Sequence, residues 1–160
     1  MSVRLRLVPL SVEHALGMVE VLADASMYEY TGGEAPSLEQ LQRRYSAQSV
    51  GHSEDGSQGW FNWIVKPRDS DAPIGFVQTT IEQDGPELVA DIGWVISPVH
   101  QGQGRASEAT EAMTSRLRSR GVSRVRGVCA SRASRLYGRR AKAGTSSDIP
   151  DGGRRDPLGV

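Results

Sequence analysis

The 160-residue chain has one cysteine, three histidines and an aromatic content of 6%. The lone Cys129 excludes an intramolecular disulfide and any zinc site built from a cysteine cluster. His14, His52 and His100 are scattered without metal-ligand spacing, so no metal is expected. No apolar run approaches the roughly 18 residues of a membrane span. The opening Met1-Ser2-Val3-Arg4-Leu5-Arg6 alternates charge and lacks an apolar signal core, which predicts a cytoplasmic location and no membrane partner. The formal net charge is zero, yet 13 of the 19 basic residues and 5 of the 19 acidic ones fall in 101–160. That stretch therefore carries +8 and the first hundred residues −8. A basic end suits phosphate or nucleic acid, or is simply a solvated end. Few aromatics interleave with its arginines, so nucleic acid ranks last among the expected partners. The length suits one domain, which buries about two-thirds of its unfolded surface without covalent staples.

Val3, Leu5 and Leu7 alternate with Arg4 and Arg6, the period of a half-buried strand. Leu16, Val19 and Leu22 give a helix over 12–24 with one apolar stripe, capped at Ser11. Ser37-Leu38-Glu39-Gln40 is a capping box opening a second helix to about residue 48. Residues 51–59 read as a polar surface loop. Strands are predicted over 60–65, 74–81, 88–96 and 122–130, the first three forming a meander. Ala106, Ala109, Met113 and Leu117 mark a helix from Gly104 to Arg120, stopped by Gly121. Residues 131–143 read as a further helix. The segment from Thr145 to Val160 is poor in large apolar groups and reads as a disordered tail. Together these elements predict an α+β (mixed α/β) domain with helices covering a central sheet.

The chemistry concentrates where the strand ending at Ile96-Ser97-Pro98 passes through Gln101-Gly102-Gln103-Gly104 into a helix. Glycines let a ligand approach the backbone. The first N–H groups of a helix have no intrahelical acceptor and sit at the positive end of its dipole, which suits phosphate. No Gly-Lys-Ser/Thr follows, so this is not a P-loop. Four strands precede it, which does not suit a dinucleotide fingerprint.

Gln101-Gly102-Gln103-Gly104-Arg105-Ala106 resembles the Gln/Arg-x-x-Gly-x-Gly/Ala signature of the GCN5-related N-acetyltransferase (GNAT) superfamily. Ile92-Gly93-Trp94-Val95-Ile96-Ser97-Pro98 is similar to that family's fourth strand, and Ser107-Glu108-Ala109 to the start of its third helix. Arg4-Leu5-Arg6-Leu7-Val8-Pro9-Leu10, with Glu13-His14-Ala15, resembles the branch of ribosomal-protein N-terminal acetyltransferases. The resemblance covers about residues 3–130. It implies a central, mostly antiparallel sheet flanked by helices, and acetyl transfer from acetyl-CoA to a primary amine by direct attack in a ternary complex. The acceptor would be a protein N-terminus or a small molecule. The implied cofactor contacts are the backbone of Trp94, Val95 and Ile96 for pantetheine, and Gln101, Gly102, Gln103, Gly104, Arg105, Ala106 and Ser107 around the diphosphate.

For catalysis the resemblance points to Asp91 as base or acceptor-binding carboxylate. Strand alternation puts it on one face with Gly93 and Val95. The plain alternative is a strand-end aspartate that is solvated or salt-bridged. Tyr137, in Ser134-Arg135-Leu136-Tyr137, partly matches the family's Asn-x-x-Ser…Leu-Tyr and is the implied acid for the leaving thiolate, or else a packing or exposed aromatic. Tyr30, in the loop between the first two helices, is implied at the acceptor mouth. Cys129, Trp60, Phe61 and Trp63 read as packing groups. After Gly144 the family's Gly-Phe step and two last strands have no counterpart. The expected domain is therefore 1–144 with those strands missing, leaving a sheet edge that invites a homodimer. A non-catalytic acyl-CoA-binding relative is the alternative function.

Overall fold

The computed structural model describes residues 4–29 and 33–129. Tyr30, Tyr137, the helix expected over 131–143 and the tail expected from 145 lie outside the described residues. Strands β1 (Leu5–Pro9), β2 (Gln58–Pro67), β3 (Gly75–Asp84), β4 (Glu87–Ile96) and β5 (Val122–Cys129) form one sheet in that spatial order. Every neighbouring pair is antiparallel except β4–β5. Helices α1 (Ala15–Val21), α2 (Leu38–Gln48) and α3 (Arg105–Arg118) complete a mixed α+β fold. Among the described residues no helix is long and apolar enough to cross a membrane.

Strand alternation divides the core into two layers. On one face Ala90, Ile92, Trp94 and Ile96 of β4 pack with Ala109, Met113 and Leu117 of α3. On the other, Ile64 and Val95 pack with Ala15 and Met18 of α1 and with Leu41 and Tyr45 of α2. Each large side chain so buried stabilises the fold by about 1.5–3 kcal/mol. The capping box at Ser37 forms as its sequence requires: the Ser37 hydroxyl accepts from the Gln40 N–H, and the Gln40 amide oxygen accepts from the Ser37 N–H.

Two expectations shift. The helix expected over 12–24 is a 3-10 turn, Val12–His14, running into the short α1. Its buried stripe is Ala15, Met18 and Leu22, while Leu16 is 69% exposed. The reason lies at Gly17, where an added Cβ would meet Pro73 at 2.9 Å, so the helix docks through its Gly17–Met18 side. The polar loop over 51–59 gives up its last residues to β2, and His52 bridges Gly59. The first strand runs over Leu5–Pro9, and Val3 lies outside the described residues.

At Gly75 the backbones of β3 and β4 approach so closely that a Cβ would lie 2.0 Å from the Val95 carbonyl oxygen and 3.0 Å from Ile96 Cα. Backbone cannot step aside as a flexible side chain can. Gly75→Ala is expected to cost about 3 kcal/mol through overpacking, and Leu16→Ser less than about 0.5 kcal/mol. Urea unfolding of both variants against the parent checks the contrast.

Candidate active site

The site begins where β4 ends. Ser97 leads into a 3-10 turn, Pro98–His100, and the Gln101 side-chain amide donates to the Ile96 carbonyl at 2.8 Å, tying the turn back to the strand. Gly102 and Gly104 then adopt left-handed backbone, φ 74° and 75°. This is the conformation that a Cβ penalises and glycine does not. Nothing lies within 4 Å of where a Gly102 Cβ would stand, so the turn is open to a ligand at that point.

Gly104 occupies the N-cap of α3 and supplies no capping side chain. The N–H groups of Arg105, Ala106 and Ser107 consequently have no acceptor among the described residues. With the dipole of a helix running to Arg118 behind them, they form a docking point for an anion. The Arg105 Nε donates to the Gln103 side-chain oxygen at 3.0 Å, which holds a fixed positive charge against the turn. Burial first, and Arg105 second, hold the His100 pKa below the ordinary imidazole value, so His100 stays neutral at neutral pH. Gln101, Gly102, Gln103, Gly104, Arg105, Ala106 and Ser107 are thus one contiguous structure. An extended diphosphate suits its uncapped N–H groups and its side-chain-free turn.

Trp94, Val95 and Ile96 immediately precede this turn. On one side they pair with Val77, Phe76 and Gly75 of β3. On the other, the β4–β5 register reaches Trp94 opposite Cys129, and beyond it Val95 and Ile96 have no strand partner among the described residues. That edge can accept the amides of an extended chain as an added strand would.

Asp91 faces away from α3, on the side of Gly93 and Val95, as alternation requires. It is not solitary. Arg126 of β5 grips both its oxygens, Nε to Oδ1 at 2.6 Å and Nη2 to Oδ2 at 2.8 Å, and reaches Glu82 Oε1 of β3 at 2.8 Å. The paired carboxylates, Asp91 foremost, raise the Arg126 pKa and keep it charged. The sequence carries a faint mark of this arrangement, because Arg124 and Arg126 sit at strand period on β5. Their acidic partners lie 35 and more residues away, out of reach of local pattern. Also missed from sequence was a small cleft between α2 and strands β2–β3, bordered by Tyr45, Asn62 and Gln78. The Tyr45 hydroxyl and both polar atoms of the Asn62 amide are buried there without a hydrogen-bond partner among the described residues. The only hint is an asparagine between Phe61 and Trp63 in an otherwise apolar strand. Among the described residues no group of three or more His, Cys, Asp or Glu could hold a metal.

Removing Arg126 leaves two carboxylates on adjacent strands without their shared cation. Because the cluster is about one-third to one-half exposed, Arg126→Ala is expected to cost about 1 kcal/mol or less in thermal unfolding. The gap to the parent should narrow as salt rises, since salt screens both the parent's attraction and the variant's repulsion.

The acetyltransferase (GNAT) domain family matches residues 4–135. Among solved structures, an acetyltransferase from Salmonella typhimurium that modifies the N-terminal serine of a 50S ribosomal subunit protein aligns at 19% identity. That alignment has a TM-score of 0.65 and covers 88% of this chain and 80% of that one. An acetyltransferase of Trypanosoma brucei aligns at 18% identity and TM-score 0.60, covering 88% and 91%. A glucosamine-6-phosphate N-acetyltransferase of Arabidopsis thaliana aligns at 14% and 0.60, covering 86% and 90%. At such identities these structures share the fold with this chain. No curated protein matches it in sequence. The signature turn, the strand before it and a family match over most of the described residues agree: this chain belongs to the GNAT acetyltransferase family.

Proposed function

We propose that the protein transfers an acetyl group from acetyl-CoA to a primary amine, by direct attack within a ternary complex. The observation that carries this reading is the continuous run from a β4 edge that has no strand partner among the described residues, at Val95 and Ile96, through a side-chain-free turn to the uncapped N-terminus of α3. One element after another matches the chemistry of an amide-bearing arm ending in a diphosphate. Bound there, acetyl-CoA supplies an acyl group activated as a thioester.

The chain's own residues have separable tasks. The N–H groups of Arg105, Ala106 and Ser107 hold the diphosphate, with Gly102 and Gly104 giving it room and Gln101 bracing the turn against Ile96. The backbone of Trp94, Val95 and Ile96 aligns the arm. An amine that is protonated at neutral pH must lose a proton before it attacks, and Asp91 is the carboxylate on the acceptor side of β4. With both its oxygens on Arg126, Asp91 is held in one orientation and takes the proton through lone pairs that the fork leaves, directly or through water. Tyr137 is assigned the return of a proton to the leaving sulfur, and Tyr30 the mouth of the acceptor site. The opening Arg4–Leu10 stretch and the N-terminal serine that the Salmonella enzyme modifies together favour a protein N-terminus as acceptor.

The Arg126 fork also supports a second reading, an acyl-CoA-binding relative without turnover, in which Asp91 is purely structural. Acetyl-CoA at a hundredfold over its Kd is expected to raise the stability by about 2.7 kcal/mol, a Tm increase of roughly 5–10 °C, whereas pantetheine without a diphosphate gives much less. Asp91→Asn should lower kcat/KM by roughly a hundredfold while leaving the acetyl-CoA Kd unchanged. Binding with no turnover on peptide or polyamine acceptors would select the second reading, and no thermal shift would defeat both.

A further inference from the structure

Arg4 stands at the start of β1, about a hundred residues from the glycine turn, yet three of its donors converge there. Its backbone N–H donates to Glu108 Oε1 and its Nε to Glu108 Oε2, both at 2.8 Å. Its Nη2 donates to the Gln103 carbonyl at 3.2 Å and lies 3.7 Å from where a Gly104 Cβ would be. Glu108 is in the first turn of α3, with a side chain 17% exposed.

We infer that Arg4 is a positioning residue for the coenzyme's diphosphate: it orients the turn that receives it and cancels the carboxylate that would repel it. This rests on the reading that the turn binds acetyl-CoA. The orienting part follows from peptide geometry. In a planar trans peptide the C=O and the following N–H point in opposite directions. Holding the Gln103 carbonyl towards Arg4 therefore turns the Gly104 N–H away from Arg4. Glycine at φ 75° has several backbone alternatives, and this bond selects among them.

The electrostatic part follows from Glu108. A carboxylate in the first turn is favoured by the helix dipole, but it competes with any anion for that same positive end. Arg4 removes the conflict: its Nε and Nη2 both lie against Glu108 Oε2, its backbone N–H holds Oε1, and the same Nη2 reaches on to the turn at the Gln103 carbonyl. Arginine suits this task because its fork spans two acceptors at once, whereas a lysine ammonium is a single point charge.

The test is acetyl-CoA binding by calorimetry, with steady-state kinetics on the same proteins. Arg4→Gln is expected to weaken acetyl-CoA roughly tenfold, the scale of one charge-assisted contact, with kcat little changed. The loss should be equal for 3′-dephospho-acetyl-CoA and absent for acetyl-pantetheine, which carries no diphosphate. It should shrink as salt rises. Glu108→Gln keeps an acceptor for Arg4 but removes the negative charge, so it should tighten acetyl-CoA binding, and in the Arg4→Gln background it should restore part of the lost affinity. A role confined to fastening β1 to α3 would instead lower the Tm of every variant and leave the three ligands' relative affinities unchanged. Should Arg4→Gln not fold, Glu108→Gln decides alone: unchanged or weaker acetyl-CoA binding overturns the inference. If the parent binds acetyl-CoA and Arg4→Gln binds it equally well, the inference fails while the proposed function stands; if the parent does not bind it, both fall.

Discussion

The packing of α3 against β4 is the constraint on which the rest depends. Ala109, Met113 and Leu117 meet Ala90, Ile92, Trp94 and Ile96, all essentially buried. Because a helix and a strand joined by a short turn are both rigid, that contact leaves little freedom for where the helix begins. Its N-terminus arrives beside the C-terminal end of β4. The turn between them must then reverse within a few residues, which two left-handed glycines make possible. The uncapped helix end is thus a consequence of core packing as much as of local sequence.

The same strand serves two sides. Its even-numbered residues, Ala90 to Ile96, are spent on the α3 layer. Its odd-numbered residues, Asp91, Gly93 and Val95, line the face shared with α1 and α2, where Val95 joins the second core layer. In the proposed reaction this alternation separates the helix that holds the coenzyme's phosphates from the carboxylate that meets the acceptor, while one backbone carries both. A change on one face therefore need not disturb the other.

Charge is organised by the same ladder. The basic excess after residue 100 suggested a field open to phosphate, but in the described part of the chain much of it is absorbed internally. Arg124 pairs with Asp84 and Glu87, and Arg126 with Glu82 and Asp91. Arg116 and Arg120 lie over the rings of Trp63 and Phe61. The acidic first hundred residues and the basic remainder thus meet across the sheet. At the α3 N-terminus the exposed basic groups are few and individually placed: Arg105 on Gln103, and Arg4 on Glu108 and Gln103.

Features that depend on near neighbours in the chain were legible without a structure. The capping box at Ser37, the strand periods of β2 to β5, the α3 stripe and the glycine turn each write their geometry into a few consecutive residues, and so did the face occupied by Asp91. What could not be read is whatever required knowing which strand lies beside which. The Arg126 fork joins residues 35 apart, the Arg4 clamp residues 104 apart, and the cleft at Tyr45 and Asn62 exists only because α2 lies across β2 and β3. Even the close seat of Gly17 in α1 depends on Pro73, a residue of the distant turn between β2 and β3. Backbone conformation answers to local sterics and hydrogen bonding, which sequence carries, whereas the partners of a charge or a buried polar group are chosen by the packing of distant segments.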